Sequence, residues 1–273
     1  MADNRPVGVF DSGVGGLTIL REIEAQFPSE DLLYFADTAH CPYGAKLAEE
    51  IRQLSRSIVE FLLANDAKLI VVACNTASVA SLAYLRANFS VPFVGIVPAV
   101  KPAAQTTQSK RIGVLATNAT FQAAIFDDLI EKFASDTAVV RQICPGWVEL
   151  VEQGKIDGAE AEGLVARYVA PLLQDQIDTI VLGCTHYPFL RPLIESFIQK
   201  TTRAGINVVD PAPAVARQVG RVMAANGLDS SRSASGSVRY FTTGDVEALR
   251  QTVRKLLGRE MLHVEHVDLV FVE

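Results

Sequence analysis

Short apolar runs recur along the chain, and each gives way to a polar or glycine-rich segment that opens an amphipathic stretch. Val7–Phe10 reads as a strand running into Asp11-Ser12-Gly13-Val14-Gly15-Gly16, after which Leu17, Leu20 and Ile23 share one face of a helix. Leu32–Ala36 is a second strand, ending in Asp37-Thr38-Ala39-His40-Cys41-Pro42-Tyr43-Gly44, and a long helix follows from about Leu47 to Ala64. Leu69–Ala73 and Phe93–Val97 are the third and fourth strands, separated by a helix from Thr76 to about Asn88. Strands alternating with helices predict a parallel sheet covered on both faces.

Pro98 and Pro102 flank a junction, and the pattern then restarts. Ile112–Ala116 echoes the first strand 105 residues later and leads into Thr117-Asn118-Ala119-Thr120 and a helix to about Phe133. Val139–Ile143 ends at Cys144-Pro145; helices holding Glu149 and Glu152, and spanning Gly158 to Leu173, come next. The strand Thr179–Leu182, a helix from Pro188 to about Lys200 and the strand Ile206–Val209 complete the second series. The fold class is α/β, built as two pseudo-symmetric α/β domains with mainly parallel sheets. Asp210–Glu273 holds two helices and two short strands, too little for a third domain, and is expected to pack back onto one half.

Composition narrows the class. A chain of 273 residues, 49% apolar and 21% charged, can bury substantial cores. A formal charge of −6 without any basic block argues against nucleic acid or anionic membranes as partners. No apolar run reaches membrane-spanning length and Met1-Ala-Asp-Asn-Arg-Pro has no signal-peptide core, so a cytoplasmic protein is expected. The four cysteines of such a chain are expected as thiols.

Two of those thiols change the picture. Cys74-Asn75-Thr76 and Cys184-Thr185-His186 stand 110 residues apart, each just beyond a buried strand. The carboxyl edge of an open α/β sheet is where ligands bind. Two units facing each other through these edges put the thiols on opposite walls of one cleft. Free thiols titrate near about 8.5, and helix N-termini lower that value, so a thiol and a thiolate can coexist. Racemisation needs such a pair, one group removing a proton and the other delivering one to the opposite face.

His186 is placed beside Cys184 by alternation in extended backbone and Asp11 at the end of a strand neighbouring that of Cys74, while Glu149 and Glu152 on one helix both stay open as the carboxylate that orients His186. Ser12, Tyr43, Gly44, Asn75, Thr76, Thr117, Thr120 and Thr185 offer hydroxyls and amides to a substrate, and these loops hold no arginine. The glycine turn lacks the dinucleotide spacing, which needs glycine where Thr18 stands, and no lysine motif marks pyridoxal phosphate. No cofactor is expected. A zinc site drawing on His40, Cys41 and Cys144 is weighed and set aside because no ligand spacing supports it, so no metal is assigned; Cys41 and Cys144 are read as structural.

Gly8–Leu17, Asp37–Gly44, Ala73–Ala77 and Leu182–Pro188, with weaker matches at Thr117–Thr120 and Cys144–Glu152, resemble the glutamate racemase family, cofactor-independent enzymes supplying D-glutamate for peptidoglycan. The resemblance implies that Cys74 and Cys184 are the acid–base pair, assisted by Asp11, Glu152 and His186. It implies glutamate contacts from Asp11, Ser12, Tyr43, Gly44, Asn75, Thr76, Thr117, Thr120, Thr185 and His186. It further implies a homodimer, and a first domain of 1–97 plus 211–273 closing over a second of 98–210. A racemase for aspartate or another amino acid, and a non-catalytic two-lobed binder of acidic ligands, are the competing readings.

Overall fold

A computed structural model describes residues 2–203, 205–260 and 263–269. Strands β1 (Val7–Asp11), β2 (Leu32–Ala36), β3 (Leu69–Val72) and β4 (Phe93–Gly95) alternate with helices α1 (Leu17–Gln26), α2 (Ala48–Ala64) and α3 (Asn75–Asn88). The second series comprises α4 (Val100–Thr106), β5 (Arg111–Ala116), α5 (Asn118–Gln122), α6 (Ala124–Phe133), β6 (Ala138–Ile143), α7 (Trp147–Glu152), α8 (Gly158–Gln174), β7 (Thr179–Leu182), α9 (Arg191–Thr201) and β8 (Asn207–Val209). The chain ends with α10 (Ala212–Asn226), β9 (Val238–Thr242), α11 (Val246–Leu257) and β10 (Val264–His266).

The first sheet runs β10-β9-β2-β1-β3-β4 and the second β6-β5-β7-β8. Four strands of the first therefore have the same order as the whole of the second, and every pairing among the described residues is parallel. In each unit the chain steps one way from its first strand and then returns to that strand's other side. The crevice beyond this reversal, between β1 and β3 and between β5 and β7, is where parallel sheets bind ligands. The C-terminal segment joins the first sheet, because β9 pairs with β2 and α10 packs on α1.

Alternating side chains cover both faces of each sheet. Val7 and Val9 of β1 pack with Leu17, Leu20 and Val219, whereas Phe10 packs with Ile58 and Leu62 of α2. In the second sheet Leu115 joins the same core as β1 together with Trp147 and Tyr187, and Val114 packs against Val100 and Phe126. One apolar core thus continues through both units. Among the described residues no helix is long and apolar enough to cross a membrane.

Two local expectations change. The Pro98–Pro102 stretch is not a plain junction, since Val100–Thr106 is helical with Pro102 in its first turn, where a missing N–H costs no helical hydrogen bond. The helix expected after Thr117 is two helices, α5 and α6, meeting at Ala123 in extended backbone (φ −77°, ψ 129°).

Lys68 is buried at the foot of β3, where its ammonium meets Glu30 and the Asp3 carbonyl, and Glu30 also accepts from the Ser230 amide at 2.8 Å. One buried ion pair therefore ties the N-terminal arm, the first sheet and the C-terminal segment. Removing one partner leaves a buried charge uncompensated, so Lys68→Ala is expected to lower stability by about 3–5 kcal/mol. Urea unfolding compared with wild type measures this, and a loss smaller than a surface ion pair gives would refute it.

Candidate active site

Cys74 closes β3 and caps α3. Its backbone is extended (φ −128°, ψ 123°) and its Sγ accepts from the Ala77 amide at 3.4 Å, while the thiol itself points at Ser12 Oγ, 3.8 Å away. Cys184 occupies the matching end of β7, but its support differs. Instead of an α-helix, a turn and a short 3-10 segment, Tyr187–Leu190, follow it. That turn, with His186 in the helical region (φ −75°, ψ −31°), brings His186 Nδ1 to 3.7 Å from Cys184 Sγ. The two residues meet as expected, though a tight turn and not strand alternation joins them.

Both thiols are nearly sealed from solvent, Cys74 at 4% exposure and Cys184 at 6%. Burial pushes the Cys74 thiol well above its ordinary value, and the negative charge of Asp11 adds to the push. The expectation that a helix N-terminus lowers it is corrected: the Ala77 amide works in that direction, but desolvation outweighs one amide. At His186 burial opposes the imidazolium. Polar contacts with Cys184, Cys41 and Glu152 overcome it and hold the ring well above the usual histidine range.

The remaining residues interlock across the two units. His186 Nε2 donates to Glu152 Oε1 at 2.6 Å, and the same oxygen accepts from the Val14 amide at 2.8 Å. Asp11 accepts from the Gly13 amide at 2.8 Å and from the Thr185 hydroxyl at 2.9 Å. Burial raises its carboxyl above the normal range, against the nearby positive His186. Glu152, on α7, is the carboxylate at the cleft, whereas Glu149 is exposed and lines a flanking cavity of about 190 Å³ with Gly44, Thr117 and Tyr187.

On the opposite side Thr76 and Thr117 hydroxyls stand 3.2 Å apart, and Thr117 and Thr120 hydroxyls 3.0 Å apart. Gly44 packs over Thr117. Tyr43 is buried at 1% exposure, with its hydroxyl donated to Asp37. The Asn75 side chain is 2% exposed, and neither end of its amide has a hydrogen-bond partner among the described residues. An amide buried at such a cost points to a polar ligand at the cleft.

Sequence reasoning missed three contributors. Tyr34 donates its hydroxyl to the Gly13 carbonyl at 2.8 Å and pins the glycine turn, yet as part of an apolar strand it gave no sign of this. Asp37 gathers Tyr43, His40 and Thr243. Cys41, read as structural, lies against His186.

The glycines also gain a reason. A Cβ on Gly13 would sit 1.9 Å from Glu152 Oε1, and one on Gly15 would sit 2.4 Å from His186 Nδ1. Neither position needs left-handed backbone; both need the absence of a side chain so that the second unit can reach the first.

The sequence profile described as Asp/Glu/Hydantoin racemase matches residues 8–219. A glutamate racemase of Herpetosiphon aurantiacus is 50% identical over 244 residues, covering 89% of this chain and 94% of that protein. The chain belongs to this racemase family. It is accordingly an isomerase. Among solved structures, a glutamate racemase isoform from Bacillus anthracis superimposes with a TM-score of 0.86 at 34% identity, covering 98% of each chain. A glutamate racemase from Francisella tularensis in complex with D-glutamate gives 0.84 at 29% identity, again covering 98% of each.

Two outcomes are expected from this geometry. Gly15→Ala pushes His186 away from Cys184, and a displacement on the 1 Å scale costs about 10²-fold in turnover; steady-state racemisation with circular dichroism as fold control checks it. The raised His186 value gives a pH signature in stability. The folded state holds this proton more tightly than the unfolded chain, so the stabilisation is complete below the unfolded value, about 6.5, and is lost as pH rises through the folded one. In urea unfolding across this range, wild type should lead His186→Asn most at the acid end, and a lead that grows with pH would count against it.

Proposed function

We propose that the protein is a cofactor-independent glutamate racemase that moves the α-proton between two thiols. The observation that carries the reading is the pair of buried cysteines at matched strand ends of two facing sheets, each with its own polar support. The protein named in complex with D-glutamate supports glutamate as the substrate, as do relatives at 46–50% identity named glutamate racemase.

In the direction from L- to D-glutamate, Cys184 takes the α-proton and Cys74 delivers one to the other face. The environment supports this division. A thiol kept protonated by burial is a donor in waiting, which suits Cys74. Cys184 has a charged imidazole at 3.7 Å, itself braced by Glu152, to steady a thiolate. In this reading Asp11 would meet the substrate ammonium, and Asn75, Thr76, Thr117, Thr120 and Ser12 would give amide and hydroxyl donors to its carboxylates. Exclusion of water strengthens each of these contacts as the carbanion develops.

The strand orders support a first domain of 1–97 plus 211–273 and a second of 98–210. A cytoplasmic setting, homodimeric assembly and supply of D-glutamate to peptidoglycan rest on the family resemblance.

Purified protein is expected to racemise L-glutamate without additives, while Cys74→Ser and Cys184→Ser each lose at least about 10²-fold in turnover and keep a native circular dichroism spectrum. In deuterated water the D-product should carry solvent deuterium from the start, with the residual L-pool largely unlabelled. Abundant unlabelled D-glutamate at low conversion would sink the two-thiol mechanism, and racemisation of aspartate in preference to glutamate would sink the substrate.

A further inference from the structure

Cys41 is a thiol against His186 for which two-thiol racemisation has no use. It lies in the loop between β2 and α2, half-buried, and its thiol contacts the His186 ring. Its Sγ, an oxygen of Glu152 and a ring nitrogen of His186 all lie within 4.8 Å of one another. We propose that Cys41, Glu152 and His186 form a binding site for a thiophilic divalent cation, Zn²⁺ above all, and that filling it reversibly shuts off racemisation.

The donor set is one sulfur, one imidazole nitrogen and one carboxylate oxygen, the combination that a borderline-soft ion prefers over Mg²⁺ or Ca²⁺. Bonds of about 2.3 Å to sulfur and about 2.0–2.1 Å to nitrogen and oxygen put tetrahedral ligand atoms roughly 3.3–3.6 Å apart. The cluster needs only to tighten at Cys41 and to open the 2.6 Å contact between His186 and Glu152 by less than about 1 Å. Three protein ligands leave the fourth position to water.

Access exists: Glu152 borders a cavity of about 230 Å³ together with Thr38 and Asp245. The three residues come from three separate segments, so no metal-binding spacing exists in the sequence to betray them.

Binding involves no redox change. Sγ–metal and Nε2–metal bonds form, the Cys41 thiol proton and the Nε2 proton pass to solvent, and the carboxylate adds its existing charge. Nε2 then no longer donates to Glu152, and the Glu152 oxygen that accepts from Val14 is drawn toward the ion. With Nε2 on the metal the ring is no longer a free imidazolium, and its 3.7 Å contact with Cys184 loses that form. Loss of turnover rests on the role proposed for His186; occupancy of the site does not.

The experiment separates the two. Co²⁺ serves as a spectroscopic probe and Zn²⁺ as the inhibitor, applied to wild type, Cys41→Ala and Cys41→Ser, each rate referred to its own metal-free value. Wild type should bind one Co²⁺ per chain with a thiolate-to-cobalt charge-transfer band, and Zn²⁺ should inhibit it until a chelator restores activity. Both Cys41 variants should lose the band and need at least about a hundred-fold more Zn²⁺, since losing even an outer partner of a metal site costs 10–100-fold. Equal zinc sensitivity in wild type and variants would place the metal on Cys74 or Cys184 and overturn the proposal, as would a wild type lacking the band. A Cys41-dependent band in a protein that racemises nothing would retain the metal site and refute the functional reading instead.

Discussion

The structure depends on how closely the second unit approaches the turn after β1. Gly13 and Gly15 leave no room for a methyl group because Glu152 and His186 occupy the space where a Cβ would lie. That approach lets one carboxylate oxygen accept from both the Val14 amide and the His186 ring, and lets Thr185 reach Asp11. The polar seam is short, buried and shared by both sheets, while the apolar core runs on beneath it.

The matched architecture does not make the two thiols equivalent. Repetition of strand order delivers Cys74 and Cys184 to corresponding places, but the segments after the two strands differ. A helix begins at Asn75 and one amide reaches the Cys74 sulfur; after Cys184 a turn presents an imidazole instead. At Cys74 one amide does not offset the desolvation of burial. Topological symmetry with chemical asymmetry is what the proposed two-thiol reaction requires, an acid on one face and a base on the other.

Much of this was legible in the sequence because burial in parallel sheets leaves unbroken apolar runs, as at Thr179–Leu182 and Leu32–Ala36, whose bounds the structure reproduces. The thiols stood out because they come directly after such runs. Helix α4 was hidden because its Pro102 reads as a breaker when in fact it sits in a first turn, and the break at Ala123 carries neither glycine nor proline to announce it. The contact of Cys41 with His186 was beyond reach for another reason: it joins residues 145 positions apart through the tertiary fold alone.

The same close approach that arranges the seam also explains why the histidine is so crowded. His186 has Cys184 on one nitrogen, Glu152 on the other and Cys41 against the ring, with 2% exposure. Each partner favours the charged ring, and without them burial would drive the proton off. The charge beside Cys184 is therefore a collective property: withdrawing any one partner shifts the balance toward neutral imidazole. The charge on the ring beside Cys184 thus reaches back through Glu152 to the Val14 amide, a backbone group of the other unit.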